Sequence, residues 1–247
     1  MFSVHQKSGI VLLLKMVIDI PTTANNKDNS IKVVMISDTH GKHRELDSIL
    51  PDGDILIHAG DFSTNYNMED AIDFNEWLGT LPHNYKIVVR GNHDSPTSVR
   101  VPHSHNVPWN KETSIILSNA ILLEDSSVKL EIPGKKRTVN IYGTNFYHPM
   151  DASTYLDFQV YEKIPSYSTS DMESNIDILV SHVPPKGFND EYKGFSFGCE
   201  MLAMTVKRVK PKLFVCGHIH FGITHVNAAN SLKHKEKLAF NSITITL

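Results

Sequence analysis

Short apolar runs in this chain repeatedly end on small polar clusters that carry Asp, Asn and His. Lys32 to Ile36 leads into Ser37-Asp38-Thr39-His40-Gly41. Asp54 to His58 leads into Gly60-Asp61, and Tyr85 to Val89 into Arg90-Gly91-Asn92-His93-Asp94. Farther on, Ile176 to Val180 precedes Ser181-His182, and Leu213 to Val215 precedes Gly217-His218-Ile219-His220. Apolar, β-branched-rich runs of this length bounded by turn residues read as buried strands. Open α/β sheets bind ligands just past the C-terminal ends of such strands. An α/β fold is therefore expected, with these five clusters gathered along one edge.

The remaining segments fit that plan. Helices are predicted over His43 to Leu50, Met68 to Leu81 and Glu200 to Val209. In the second of these, Ala71, Phe74, Leu78 and Leu81 recur at helical spacing, and Trp77 beside them reads as core. Ala120 to Leu123, Val128 to Ile132 and Thr138 to Tyr142 read as strands. Pro133-Gly134-Lys135-Lys136 reads as a hairpin turn, and the basic Lys135-Lys136-Arg137 cluster as its solvated surface. Leu238 to Phe240 and Ile243 to Thr246 are expected to finish a second, mixed sheet packed on the first, with helices outside.

At 247 residues the chain suits one large domain. The boundaries expected are an N-terminal extension and linker over 1–30 and the domain over 31–247. Residues 9 to 20 form the strongly apolar stretch of the extension. Lys15 interrupts it and it is too short to span a bilayer, so it reads as an added strand or packed segment. A signal-peptide core is the competing reading, without a clean small-residue cleavage site. Two cysteines, Cys199 and Cys216, cannot build a disulfide framework. That points to a reducing, cytoplasmic setting. The net charge of -3 lacks the basic surface that binding to large nucleic acids needs.

The clusters carry metal chemistry. Asp38 and His40 are two residues apart, as are His218 and His220. On extended backbone each pair points to one side. Asp61 follows a glycine that permits close backbone approach, and its two oxygens can bridge two cations. Asn92 offers a neutral carbonyl oxygen. Oxygen and imidazole donors without thiolate suit manganese, iron or zinc in a reactive site better than a structural zinc site. Cys216 falls inside a strand and reads as core. A pair of divalent cations of this kind usually makes hydroxide and attacks a phosphorus ester. His93, next to Asn92, is expected to point elsewhere and to protonate a leaving oxygen. Asp94 reads as an orienting group or a helix cap.

The order Asp-x-His, Gly-Asp, Gly-Asn-His-Asp, His and Gly-His-x-His resembles the calcineurin-like metallophosphoesterase superfamily. Leu56-Ile57-His58-Ala59-Gly60-Asp61-Phe62, Phe74 to Pro82 and Asp177 to His182 resemble its metallophosphoesterase-domain-containing subfamily. The resemblance implies an αββα sandwich of two mixed β-sheets flanked by helices. It implies one metal held by Asp38, His40, Asp61 and His220, and another by Asp61, Asn92, His182 and His218. It further implies a metal-bound hydroxide as nucleophile, His93 as general acid, and manganese-dependent hydrolysis of phosphodiesters, including cyclic nucleotides. The expected partner is a small phosphate-ester substrate, plausibly a nucleotide, with no membrane.

Some positions depart from that subfamily. Val183 stands where glycine is usual, Phe195-Ser196-Phe197 where a more polar segment is usual, and Phe221 where an acidic residue is usual. These are read as substrate-side differences. Arg90 stands where a small residue is usual and resembles the phosphate-contacting arginine of Ser/Thr protein phosphatases. A guanidinium there can bind two phosphoryl oxygens and would favour monoesters. The alternative is a strand-end arginine paired with a local carboxylate. The competing functional classes are thus a phosphomonoesterase using Arg90 and a metal-binding, non-catalytic scaffold.

Overall fold

The computed structural model describes residues 14–18, 30–64, 67–94, 117–144, 175–188, 190–192, 194–219, 225–226 and 241–244. For 14–18, 192, 225–226 and 241–244 the description is of backbone alone. The first sheet contains β1 (Leu14–Ile18), β2 (Ile31–Ile36), β3 (Ile55–His58), β4 (Tyr85–Val88) and β5 (Ile121–Leu122) in that spatial order. β2 to β5 run parallel, and β1 closes one edge antiparallel to β2. The apolar stretch of the N-terminal extension therefore supplies an added strand.

The second sheet follows β6 (Ser126–Glu131), β7 (Thr138–Thr144) and β8 (Ile178–Ser181). A small hairpin, β9 (Glu191–Tyr192) and β10 (Phe195–Ser196), then precedes β11 (Leu213–Cys216), β12 (His225–Val226) and β13 (Asn241–Thr244). Its order is β12-β13-β11-β8-β7-β6, with β7, β8, β11 and β13 parallel. The expected strand at Leu238 to Phe240 lies outside the described residues.

Alternation along the strands explains the layers. Val33, Met35, Ile55, Ile57 and Ile87 face Val139, Ile141, Ile178, Val180 and Val215 between the sheets. The intervening Val34, Ile36, Leu56 and Val88 face Phe74, Trp77 and Leu78 of α1 (Met68–Thr80). Leu179, Phe214 and Cys216 pack beneath Leu202 and Val206 of α2 (Glu200–Val209). Strands covered on both faces read as continuous apolar runs because neither pleat face meets water. The result is the expected αββα sandwich.

Local signals set the helix ends. Asn67 caps α1 by accepting from the Glu69 N–H at 2.8 Å, and Pro82 follows its last turn. Cys199 caps α2 through its sulfur, and Lys210, left-handed at φ 52°, ends it before Pro211.

Three readings change. The helix expected over His43 to Leu50 is a 3-10 turn, His43–Leu46, followed by turns. His43 and Leu46, three apart, are its buried residues, a spacing that a 3-10 turn eclipses onto one face. Lys135 is not solvated surface. Its ammonium is half-buried, donating to the Ser30 carbonyl and, at 2.6 Å, to the Asp54 carboxylate, so the hairpin turn ties one sheet to the other. Val183 is fully buried beneath α2 and is a packing residue.

His43, His58 and His83 are all buried, each with an Nδ1 that lacks a hydrogen-bond partner. Burial holds all three below the ordinary imidazole range, His58 at about 3. The unfolded chain then binds protons that the native state does not. The stability they contribute is complete above about pH 6.5 and is lost as pH falls below it. Each histidine contributes at most about 1.4 kcal/mol per pH unit in that window. His83→Gln keeps an N–H for the Pro51 carbonyl, which lies 3.1 Å from Nε2. Urea unfolding at pH 6.5, 5.5 and 4.5 should show a shallower loss for His83→Gln than for wild type. Equal slopes would contradict this.

Candidate metal centre

The loops that follow β2, β3, β4, β8 and β11 meet at one end of the sandwich. The β2 and β3 loops continue their pairing beyond the strands. Asp38 N–H donates to Gly60 O at 2.9 Å, His40 N–H to Asp61 O at 3.0 Å, and Gly41 N–H to Phe62 O at 2.9 Å. Two contacts through backbone atoms join the sheets here. The His218 N–H donates to the Asp38 carboxylate at 3.1 Å, and His182 Nδ1 lies 2.8 Å from the Ala59 carbonyl oxygen. The segments that carry these residues are more than a hundred positions apart in sequence.

Asp38, Asp61 and His182 are essentially inaccessible to water, and His218 is nearly so. Nδ1 of His182 faces a carbonyl, so it carries the hydrogen and donates it. In the neutral ring the other nitrogen, Nε2, then points a lone pair into the cluster. Around it lie Asn92 Oδ1 at 3.1 Å, Asp61 Oδ2 at 3.2 Å and His218 Nδ1 at 3.3 Å. His40 repeats the arrangement. Its Nδ1 faces the Ser63 carbonyl at 3.3 Å, and its Nε2 lies 4.0 Å from Asp61 Oδ2. A carbonyl that fixes the tautomer while the opposite nitrogen faces other acceptors is the second-shell pattern of metal-ligating histidine.

Among the described residues, ligand atoms of Asp61, His182 and His218 lie within 4.8 Å of one another, as do those of His40, Asp61 and His93. Asp61 belongs to both groups. Converging lone pairs fit a cation, and an oxygen-plus-imidazole donor set fits a hard or borderline divalent ion. The electrostatics agree. Burial opposes charge on His182, but Asp61 outweighs it and pushes the imidazole up to about 10. Burial likewise opposes charge on Asp61, yet His182 and the His93 N–H hold its carboxyl below the usual range. The pair demands positive charge between its members, which a proton or a divalent cation can supply.

The site residues stand as follows. Asp61, Asn92, His182 and His218 come together around one point. His40 adjoins them through Asp61, and Asp38 reaches the His218 backbone. His220 lies outside the described residues. His93 lies beside His40 rather than in the His182 group: its ring centroid is 4.9 Å from that of His40, edge to face. Its N–H donates to Asp61 Oδ1 at 2.8 Å. Arg90 Nη1 lies 3.5 Å from Glu124, the local carboxylate of the alternative reading.

Asp94 proves to be an orienting group. It accepts from the Asp61, Gly91 and Ser63 N–H groups at 2.5, 2.8 and 2.8 Å, and from the Ser63 hydroxyl at 3.2 Å. Burial and the neighbouring Asp61 charge push its carboxyl up to about 7, against the pull of those N–H groups. Ser63 was not singled out in the sequence. Its spacing of two from Asp61 was the available signal.

Two glycines are required by close approach. A Cβ on Gly91 would sit 2.1 Å from Asp61 Oδ1, and one on Gly217 would sit 2.3 Å from Asp38 Oδ2. These are carboxylate positions that a side chain would displace.

A sequence profile described as calcineurin-like phosphoesterase matches residues 31–222. A Caenorhabditis elegans UPF0046 protein is 36% identical over 236 residues, covering 87% of this chain and 80% of its own length. Human metallophosphoesterase domain-containing protein 1 is 32% identical over 250 residues, covering 87% of this chain and 71% of its own length. Another UPF0046 protein of Caenorhabditis elegans is 32% identical over 77% of this chain, which spans 63% of that relative. Among solved structures, TT1561 of Thermus thermophilus superposes with a TM-score of 0.50 at 15% identity, covering 87% of each chain, a likeness of fold alone. The chain belongs to the calcineurin-like phosphoesterase family. A phosphoesterase family fits a site whose donor groups could hold a metal ion.

Gly91→Ala and Gly217→Ala should each fold yet bind divalent metal about 10- to 100-fold more weakly, the usual consequence of disturbing ligand support. Calorimetric titration of metal-stripped protein with Mn²⁺ measures this. Wild-type affinity in both variants would show that the two carboxylates are not ligands.

Proposed function

We propose that this chain hydrolyses phosphodiesters, with cyclic nucleotides the first class to test, using two divalent cations. The observation that supports this reading is the convergence of Asp61 Oδ2, Asn92 Oδ1 and His218 Nδ1 on His182 Nε2, each within 3.3 Å of it. One cation would be held by Asp38, His40, Asp61 and His220. The second would be held by Asp61, Asn92, His182 and His218, with Asp61 bridging. Manganese is the first metal proposed, with iron and zinc as alternatives. When bound, such a pair supplies Lewis-acid charge to phosphoryl oxygens and an activated water for in-line attack.

The protein groups then have separate tasks. The Ala59 and Ser63 carbonyls hold the His182 and His40 tautomers. Asp94 grips the backbone of Asp61, so the bridging carboxylate starts from a fixed place. His93 stands beside His40 with its backbone tied to Asp61, close enough to give a proton to a departing oxygen. General acid help of that kind is worth about 10²–10⁴ in rate. Phosphoryl transfer asks mainly for positioning and charge neutralisation.

Diesters are preferred over monoesters because Arg90 already faces Glu124. A guanidinium with a carboxylate partner offers less to the additional charge of a monoester. Arg90 as a phosphate contact therefore belongs to the monoesterase alternative.

Manganese-dependent turnover of chromogenic diester and monoester substrates by metal-stripped, reloaded protein tests the reading. Diester turnover should exceed monoester turnover, and Asp61→Ala should abolish both along with metal uptake. His93→Ala should retain metal and lose about 10²–10⁴ in rate, the range of a general acid. Wild-type turnover in metal-loaded His93→Ala would remove the acid role. A preference for monoesters that Arg90→Ala abolishes would move the assignment to the phosphatase alternative. Two bound metals without turnover of either ester would favour the scaffold.

A further inference from the structure

His58 closes β3, three residues before Asp61, and is completely buried. Its ring lies edge-on to Phe74 with centroids 4.9 Å apart, and Phe62 flanks it at 6.1 Å. Its Nε2 is 3.0 Å from Thr39 Oγ1, a hydrogen bond between two groups that water does not reach. Thr39 stands between Asp38 and His40, and both of these residues are left-handed, at φ 55° and 43°. Non-glycine residues in that region are strained and persist only where surrounding structure over-determines them. The backbone of the β2 loop is tied to the β3 loop through Asp38, His40 and Gly41. The Thr39 hydroxyl adds a tie from the opposite, core-facing side.

Given the metal reading above, we propose that His58 is a positioning residue that sets the Asp38–His40 ligand pair through its buried hydrogen bond to Thr39. It touches neither substrate nor metal. Its action passes through Thr39, whose side chain must point into the core for Asp38 and His40 to turn toward the cluster. A histidine suits the place because its ring packs edge-on beside the stacked Phe62–Phe74 pair while its far nitrogen reaches the hydroxyl. Leucine would fill similar space without the hydrogen bond, and glutamine can return a polar atom near the Nε2 position.

The test is a double-mutant cycle read in metal affinity and melting temperature on the metal-stripped 247-residue chain titrated with Mn²⁺. Thr39→Val, nearly isosteric, should weaken affinity about 10-fold, the lower end for supporting groups of metal ligands. His58→Leu should do the same, and the double variant should be no weaker than either single one, as expected for two ends of one interaction. Thr39→Ser and His58→Gln should bind near wild-type strength. Should His58→Leu not fold, Thr39→Val and its serine counterpart carry the comparison. Variants that melt earlier but bind Mn²⁺ as wild type does would show a merely structural bond and overturn the inference alone. Losses that add in the double variant would overturn it as well. Wild-type protein that takes up no Mn²⁺ would overturn the metal reading and this inference together.

Discussion

Carboxylates brought together out of water repel one another, and that repulsion organises this molecule. Asp38, Asp61 and Asp94 are all buried at the meeting of the two sheets. An ionised carboxylate without compensation is too costly to bury, so each must find positive charge or donors. Asp94 finds donors, with three backbone N–H groups and a hydroxyl. Asp38 finds the His218 N–H. Asp61 takes the His93 N–H on one oxygen and turns the other toward His182 and His40. The distribution is uneven in a useful way: the carboxylate with the most hydrogen-bond donors holds the loops, and the others face inward.

That arrangement requires backbone the chain would not otherwise adopt. Six non-glycine residues among those described have positive φ, and four of them are Asp38, His40, Asp61 and His218. At about 1–3 kcal/mol each, these four are comparable to a large part of the 5–15 kcal/mol by which domains are stable. The strain is tolerated because each loop begins at the end of a fully buried strand. Strands β2, β3, β8 and β11 cannot shift by one residue without turning their apolar residues away from one core layer into another. Register thus fixes where each loop starts, and close packing at Gly91 and Gly217 fixes how the carboxylates pass.

The sequence made the sheet strands and the ligand clusters legible for the same reason. Doubly covered strands are uniform in composition, and a polar residue at their ends stands out sharply. What it hid were features set by partners distant in the chain. The 3-10 turn at His43 carries a helical-looking pattern, but only His43 and Leu46 of the turn are buried, while Ile49 and Leu50 reach the core from the turns that follow. Lys135 reads as surface within its own hairpin, and only the stacking of sheets shows Asp54 and Ser30 beside it. His93 could be read as standing apart from Asn92, but its N–H bond to Asp61 and its ring contact with His40 both come from other loops. His58 resembled any other histidine until its distance to Thr39 was known.

The same reasoning separates the generic part of the site from the part that selects a substrate. A metal cluster assembled from five strand ends can activate water toward many phosphorus esters, so it does not choose among them. Choice falls to side chains around it that the core does not need. Val183, one residue past His182, fails that condition because it packs fully beneath α2. Phe195 is not used by the core: 69% exposed, it stands on the β9–β10 hairpin in the segment that follows His182. That hairpin is anchored at its base, where Asp190 receives the Gly198 N–H and the Ser196 hydroxyl. An exposed aromatic ring on an anchored hairpin costs the fold something in solubility and contributes nothing to its core. Of the departures from the subfamily among the described residues, it is the one whose retention packing does not explain.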